Sequence, residues 1–289
     1  MIPSHWKILI TGVTSIHGWP IFSKLREIVK PGQALGIRPP KMGVPLGSDV
    51  QSVCITDESS FVKIRDNFSP THVIHASGVC DLDVCEERPA WAKAMNVTGA
   101  EVIARVFGKG SYVLYLSTDL VFSGNNPPEG GYRETDVPDP VSVAGTTFAT
   151  AEKIVAGLSN ACILRLGLPL GESITGEKGA IDFIDRRLKR GLPLTLFHDE
   201  LRSCISTDAI TSAVLQFLLH GSNGLFHCGG EVPQSLYELG KLVLDKGGYP
   251  QNLLTTISRF DEKNGPPRMG NVSLNSGKLA SLLNRFDDN

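Results

Sequence analysis

The sequence predicts an α/β protein: a doubly wound parallel sheet followed by a smaller C-terminal lobe. Three observations carry that expectation. Short apolar runs alternate with helical patterns through residue 166, the order in which βαβ units wind a parallel sheet. Several of those runs are continuously apolar, as strands covered on both faces require. The first run ends in a glycine turn that opens a helix, TGVTSIHG at 11–18.

Strands are expected over 7–10, 34–37, 50–55, 71–76, 112–117 and 162–166. Between the first two, Ile21, Phe22, Leu25, Ile28 and Val29 share one helical face, the 3.6-residue period of an amphipathic helix. Pro20 falls near its first turn, where a missing N–H costs little. Further helices are expected over 89–107 and 142–158. Beyond Leu166 the pattern changes. Residues 167–179 are rich in turn formers, and helices follow over 181–189 and 208–219, the latter with Ser206 or Thr207 as N-cap. Residues 231–289 are mixed. The expected division is a core over 1–166 and a smaller lobe over 167–289, with about 203–230 returning to the core.

The composition of the 289 residues, 41 % hydrophobic and 20 % charged, suits a chain with a sizeable core. A formal net charge of −2 gives no basis for a nucleic-acid surface. The run from Arg186 to Arg190 reads as the wet face of a helix. No apolar stretch approaches the roughly 20 residues that span a bilayer, and the start lacks the basic and long apolar regions of a secretory leader. The six cysteines are scattered. Cys80 and Cys85 are the one close pair, without the second pair or histidines that a zinc site needs. The expectations are a cytoplasmic protein with no metal, no nucleic acid and no membrane as partner.

The glycine turn carries the first binding prediction. Glycines let backbone approach a pyrophosphate, and the helix N-terminus supplies partial positive charge. Gly12, Thr14, Ser15, Ile16 and Gly18 form that turn. Ser15 stands where a glycine is usual; its hydroxyl either reaches a phosphate or crowds it, the latter if the loop needs a positive φ there. At the end of the second strand stands Arg38. An acidic residue there would hold a ribose 2′-hydroxyl, whereas arginine suits a 2′-phosphate, so NADP is favoured slightly over NAD.

Several segments together resemble one family. TGVTSIHG (11–18), THVIHASG (71–78), DVCEERPAWAKAMNVTGA (83–100), LYLSTDLVFSGNNPP (114–128), YRETDVPDP (132–140) and PPRMGNVSLNSGKL (266–279) occur in the order found in the extended short-chain dehydrogenases/reductases. Within these the chain is similar to the dTDP-4-dehydrorhamnose reductase-like group, which includes the regulatory β subunit of methionine adenosyltransferase. The resemblance implies a Rossmann-type core that binds NADP or NAD and a small lobe that binds a nucleotide-linked sugar. Carried over, Gly12 and Gly18 would line the pyrophosphate. Ala76, Ser77 and Gly78 would flank the cofactor, and Asn96 would match a helix asparagine of the family. Ser117 and Thr118 would sit beside the reacting carbonyl. Arg202 and Arg268 would lie in the sugar-nucleotide lobe, where arginine pairs with phosphate.

The departure lies in VAGTTFATAEK, 143–153. The family pattern has Tyr-x-x-x-Lys here. Gly145, Ala151 and Glu152 set the register, which puts Ala144 at the tyrosine and Phe148 at the lysine. Reduction of a carbonyl needs a proton for the developing alkoxide, and general-acid help is worth about 10²–10⁴ in rate. The tyrosine would give that proton; the lysine would lower its pKa and hold the nicotinamide ribose. Neither alanine nor phenylalanine does either. Thr146, Thr147, Tyr132 and Asp119 are the nearby polar residues; the two threonines lie about 200–300° round the helix from the tyrosine position, and Tyr132 would reach only if its loop folds inward. Three functions are open at this point. The first is a binding or regulatory protein on a reductase fold, with a protein partner or a homodimer to be considered. The second is an active reductase or epimerase of a nucleotide-linked 4-keto-6-deoxysugar with an unusual acid. The third is a structural protein without a ligand.

Overall fold

The computed structural model describes residues 2–40 and 47–287. Strands β1 (Ile8–Thr11), β2 (Ala34–Arg38), β3 (Val50–Ser52), β4 (His72–His75), β5 (Tyr112–Thr118) and β6 (Ala161–Leu166) join a seventh strand, Gly224–Cys228, in one sheet. The spatial order is seventh strand, β6, β5, β4, β1, β2, β3, and every pairing is parallel. All six strands expected from the apolar runs are present. The third is shorter than expected: it covers Val50–Ser52, the outermost position of the sheet, with Gln51 and Ser52 exposed.

Helices cover both faces. On one lie α1 (Gly18–Ile28), α8 (Thr207–His220) and α10 (Gly277–Asp287). They pack Phe22, Leu25, Val214 and Phe217 on Ile8, Ile10, Leu114 and Leu164. On the other lie α2 (Glu58–Phe68), α5 (Gly99–Phe107) and α6 (Val143–Ala156), which pack Phe61, Phe107 and Val155 on Leu9, Val73, Val113 and Ile163. Ile8 and Ile10 thus face one side and Leu9 the other, the period of two that a strand imposes.

The helix expected over 89–107 is interrupted. After α3 (Leu82–Glu87) come α4 (Pro89–Lys93), a π turn over Ala94–Thr98, and then α5. Ser142 caps α6 by accepting from Gly145 N at 3.1 Å, and Ser206 caps α8 through Ala209 N.

A third apolar cluster lies outside the sheet. Helices α7 (Ala180–Lys189) and α9 (Leu236–Gly247) enclose Ile184, Leu188, Leu239 and Leu244 with Leu194 and Leu196. Strand Leu194–Phe197 pairs in parallel with Leu254–Ile257, and Leu201–Ser203 pairs antiparallel with Pro233–Ser235. Among the described residues no helix is long and apolar enough to cross a membrane.

Candidate functional site

Strand order reverses between β1 and β4, whose crossovers run to opposite sides. A doubly wound sheet opens its crevice at such a point, beyond the carboxyl ends of the strands. Gly12 follows β1 there with φ +69°, and a Cβ on it would lie 2.5 Å from the Ala76 carbonyl oxygen, just beyond β4. A Cβ on Gly18 would lie 2.2 Å from the Gly12 oxygen. The turn is therefore a cradle that only glycine closes at these two positions.

Ser15 does not crowd the turn by backbone strain. Among the described non-glycine residues only Ser69 has a positive φ. Ser15 N donates to Gly12 O at 2.9 Å, and its hydroxyl accepts from Gly18 N at 2.9 Å. It thus occupies one of the amides that a helix N-terminus offers to an anion. Thr14 is buried, and the Ile16 side chain lies where a Cβ on Gly179 would be, 2.3 Å from its Cδ1. The loop before α7 therefore rests on the turn. The His17 ring is closed in and its Nδ1 has no partner; burial pushes its pKa down to about 4, so it is neutral. Arg38 ends β2 in register with Ser52 and reaches the Pro39 carbonyl at 3.4 Å.

On the β4–β5 side the site differs from what the resemblance implies. Thr11, His75 and Tyr115 are neighbours in register across β1, β4 and β5. Thr11 Oγ1 bonds His75 Nδ1 at 2.8 Å and accepts from Ser77 N at 3.3 Å. Tyr115 stacks on His75, with centroids 5.3 Å apart, and on Phe148 at 6.4 Å. His75 Nε2 and the Tyr115 hydroxyl are both buried without partners. Burial pushes the imidazole down to about 3 and the phenol well up. Phe148 is 6 % exposed and Ala144 fully buried. A Cβ on Gly78 would lie 2.6 Å from Phe148 Cζ, so the ring packs directly beneath that backbone. Asn96, in the π turn, bonds Val79 N, Val79 O and the Thr147 hydroxyl at 2.7–2.9 Å. Its amide fastens the 76–79 loop to α6.

Two expected site residues are committed elsewhere. Ser117, expected beside a reacting carbonyl, is buried and donates to Glu152 Oε1 at 2.6 Å. Glu152 takes a two-pronged bond from Arg165, at 2.9 and 2.7 Å, and Arg165 Nη1 meets His227 Nε2 at 3.3 Å. Ser117, Arg165 and His227 are register neighbours on three adjacent strands. Arg202, expected to meet a phosphate, instead grips Asp119 through Nε at 2.6 Å and through Nη2, with both residues buried. That pair closes the strand end against the small lobe and uses up Asp119 as a substitute acid. Thr118 stays half-buried; its hydroxyl lies 3.2 Å from Asp119 Oδ1 and accepts from Leu120 N at 3.3 Å.

Arg268 lies over the Phe197 ring at 4.4 Å and 3.6 Å from Glu200 Oε1. Burial raises the Glu200 pKa to about 7 against the pull of Arg268 and Arg202. Of the other substitutes, Tyr132 stacks on Phe122 with centroids 4.0 Å apart, and Thr147 donates to Ala144 O. Thr146 is exposed. Phe148 thus meets a buried phenol and the backbone of a glycine, with no ammonium beside it among the described contacts. No group of three or more metal-ligating side chains occurs among the described residues.

The Glu152–Arg165–His227 chain escaped sequence reasoning. One signal was available. Ala144, Phe148, Ala151, Glu152 and Val155 form a single buried stripe of α6, and a carboxylate in such a stripe demands a cation opposite it.

Residues 6–285 match the family described as RmlD substrate binding domain. Among curated proteins, the chain is 25 % identical to methionine adenosyltransferase 2 subunit beta of Xenopus laevis, over 97 % of this chain and 83 % of that one. It is 26 % identical to the probable low-salt glycan biosynthesis reductase Agl14 of Haloferax volcanii, over 96 % and 94 %. Among solved structures, a hypothetical dTDP-4-dehydrorhamnose reductase from Sulfolobus tokodaii superposes with TM-score 0.81 at 25 % identity, over 96 % of this chain and 94 % of that one. The NADP complex of a dTDP-4-dehydrorhamnose reductase from Bacillus anthracis superposes with TM-score 0.79 at 19 % identity, over 98 % and 93 %.

Proposed function

The chain belongs to the RmlD substrate binding domain family, and from that membership we propose that it holds a nicotinamide dinucleotide without reducing a sugar at its expense. The observation that carries this reading is the burial of Ala144 and Phe148 on α6, with Phe148 packed beneath Gly78. Neither side chain offers a proton or a cation to the crevice. The reading places a pyrophosphate at the glycine turn because that turn, closed by Gly12 and Gly18, follows β1 and opens α1, whose N-terminus favours an anion. Thr14, Ser15, Ile16, Arg38, Ala76, Ser77 and Gly78 border the same crevice on this reading. The core over 1–166, with about 203–230 returning to it, is taken as the dinucleotide-holding part, and the rest of 167–289 as the part that would face a nucleotide-linked sugar, with the half-buried Arg268 as its cation. Relatives named as a subunit of an adenosyltransferase favour a regulatory role with a protein partner.

A second reading, an active reductase or epimerase of a nucleotide-linked 4-keto-6-deoxysugar, draws on the half-buried Thr118 hydroxyl and on a relative named as a reductase. The two separate in one experiment. NADPH and NADH are titrated into the protein and followed by nicotinamide fluorescence and thermal shift, since a ligand held by the native state raises its apparent stability. A nucleotide-linked 4-keto-6-deoxysugar is then added. Binding without oxidation is the expected result; prompt oxidation establishes the second reading. Absence of any nucleotide binding removes both.

A further inference from the structure

The two halves of the crevice are unequally furnished. A dinucleotide lies across the reversal point, its adenosine diphosphate half over the first βα turn and β2 and its other half over the strands beyond. On the β1–β2 side the turn keeps its glycines. At Gly12 and Gly18 the backbone closes so tightly that a methyl group would strike the Ala76 and Gly12 carbonyl oxygens, α1 begins there with its Gly18 amide held by Ser15, and Arg38 stands at the end of β2. On the β4–β5 side most polar side chains are already bonded within the protein, and the two unpartnered atoms, His75 Nε2 and the Tyr115 hydroxyl, lie on residues 0 % and 1 % exposed. Asn96 spends its amide on Val79 and Thr147. Ser117 gives its hydroxyl to Glu152, and Thr118 lies against Asp119 and the Leu120 amide. Phe148 turns a ring under Gly78 and stacks on Tyr115. The Ser77 side chain is left, without a hydrogen bond among those described.

Resting on the dinucleotide reading above, we infer that recognition stops at the pyrophosphate: the site selects an adenosine diphosphate moiety, and the nicotinamide riboside contributes no net affinity. A ribose and a carboxamide brought against this surface leave water without gaining partners, so no surplus remains to strengthen binding. A protein of this kind does not distinguish reduced from oxidised dinucleotide, or either from the truncated ligand. What it reports is the concentration of the adenine nucleotide pool, not its redox state.

The test is a ligand series on the full chain by calorimetric titration: NADH, NAD, ADP-ribose, ADP and adenosine, with NADPH against 2′-phospho-ADP-ribose. Kd values for NADH, NAD, ADP-ribose and ADP are expected within about threefold of one another, with adenosine weaker by about tenfold or more for want of phosphate. A Ser15→Asp variant keeps an acceptor for the Gly18 amide but sets a carboxylate at the pyrophosphate. It should lose all the phosphate-bearing ligands together while its melting temperature is retained. NADH or NADPH binding ten times tighter than its truncated partner overturns the inference and leaves the dinucleotide reading standing. If none of the phosphate-bearing ligands binds, that reading falls and the inference falls with it.

Discussion

Arg165 shows how a single side chain decides what its neighbours are free to do. It is 2 % exposed and holds Glu152 by two hydrogen bonds, and Glu152 in turn holds Ser117. Removing one partner of a buried pair strands the other charge, at a cost of about 3–5 kcal/mol. Arg165→Leu should therefore lower the urea-unfolding free energy by about that amount, and Arg165→Leu with Glu152→Leu should recover part of it. Equal losses in the single and double variants would mean that the pair is not the source. At this scale the sequence concealed what is taken. The reading of Ala144 and Phe148 as the tyrosine and lysine positions rests on close neighbours in the chain, Gly145, Ala151 and Glu152. The engagement of Ser117 was not legible, because its partner lies 35 residues on and that partner's cation a further 13. The pairing of Arg202 was hidden for the same reason, its carboxylate standing 83 residues away.

Helix α6 is set by close approach at one point. A Cβ on Gly145 would lie 2.1 Å from the Leu120 carbonyl oxygen, backbone that cannot swing aside. Gly145→Ala should push the helix off the β5 end and cost about 1–3 kcal/mol, the range for overpacking, despite the better helix propensity of alanine. A thermal melt showing equal or greater stability would contradict this contact. Helix existence and strand order along the chain were readable from period and continuity. Boundaries at the site were less so. The π turn at Ala94–Thr98 inserts an extra residue per turn, and a side-chain pattern of period 3.6 does not announce it. Its consequence is the placement of Asn96 between the 76–79 loop and Thr147. Helix α2 went unassigned although Asp57 caps it through Ser60 N at 3.2 Å, because its weak apolar face, Phe61 and Ile64, gave little periodic signal.

Four of the seven histidines are held neutral by burial. Burial holds His17, His72 and His227 at about 4 and His75 at about 3, against 6.5 for a free imidazole. Below pH 6.5 the unfolded chain takes up protons that the native one refuses, so stability falls as pH drops from there towards 4. Glu200 opposes this: held at about 7 against 4.5, it favours the native state at low pH and loses that contribution as pH rises from 4.5 through 7. Four imidazoles outweigh one carboxyl, so urea midpoints should decline from about pH 7.5 to about pH 5. A flat or rising profile would contradict the burial of these rings. The parallel winding was legible because it follows from local patterns. The spatial order of the strands, and the return of Gly224–Cys228 to lie beside β6, are fixed by packing between distant segments. So is the third cluster of α7 and α9. The most direct measurement compares the wild-type chain with Ala144→Tyr/Phe148→Lys, each loaded with NADPH and mixed with a nucleotide-linked 4-keto-6-deoxysugar while nicotinamide absorbance is followed. Silence from the wild type and oxidation by the double variant is the predicted result; oxidation by the wild type at a rate the two substitutions do not raise would contradict the account.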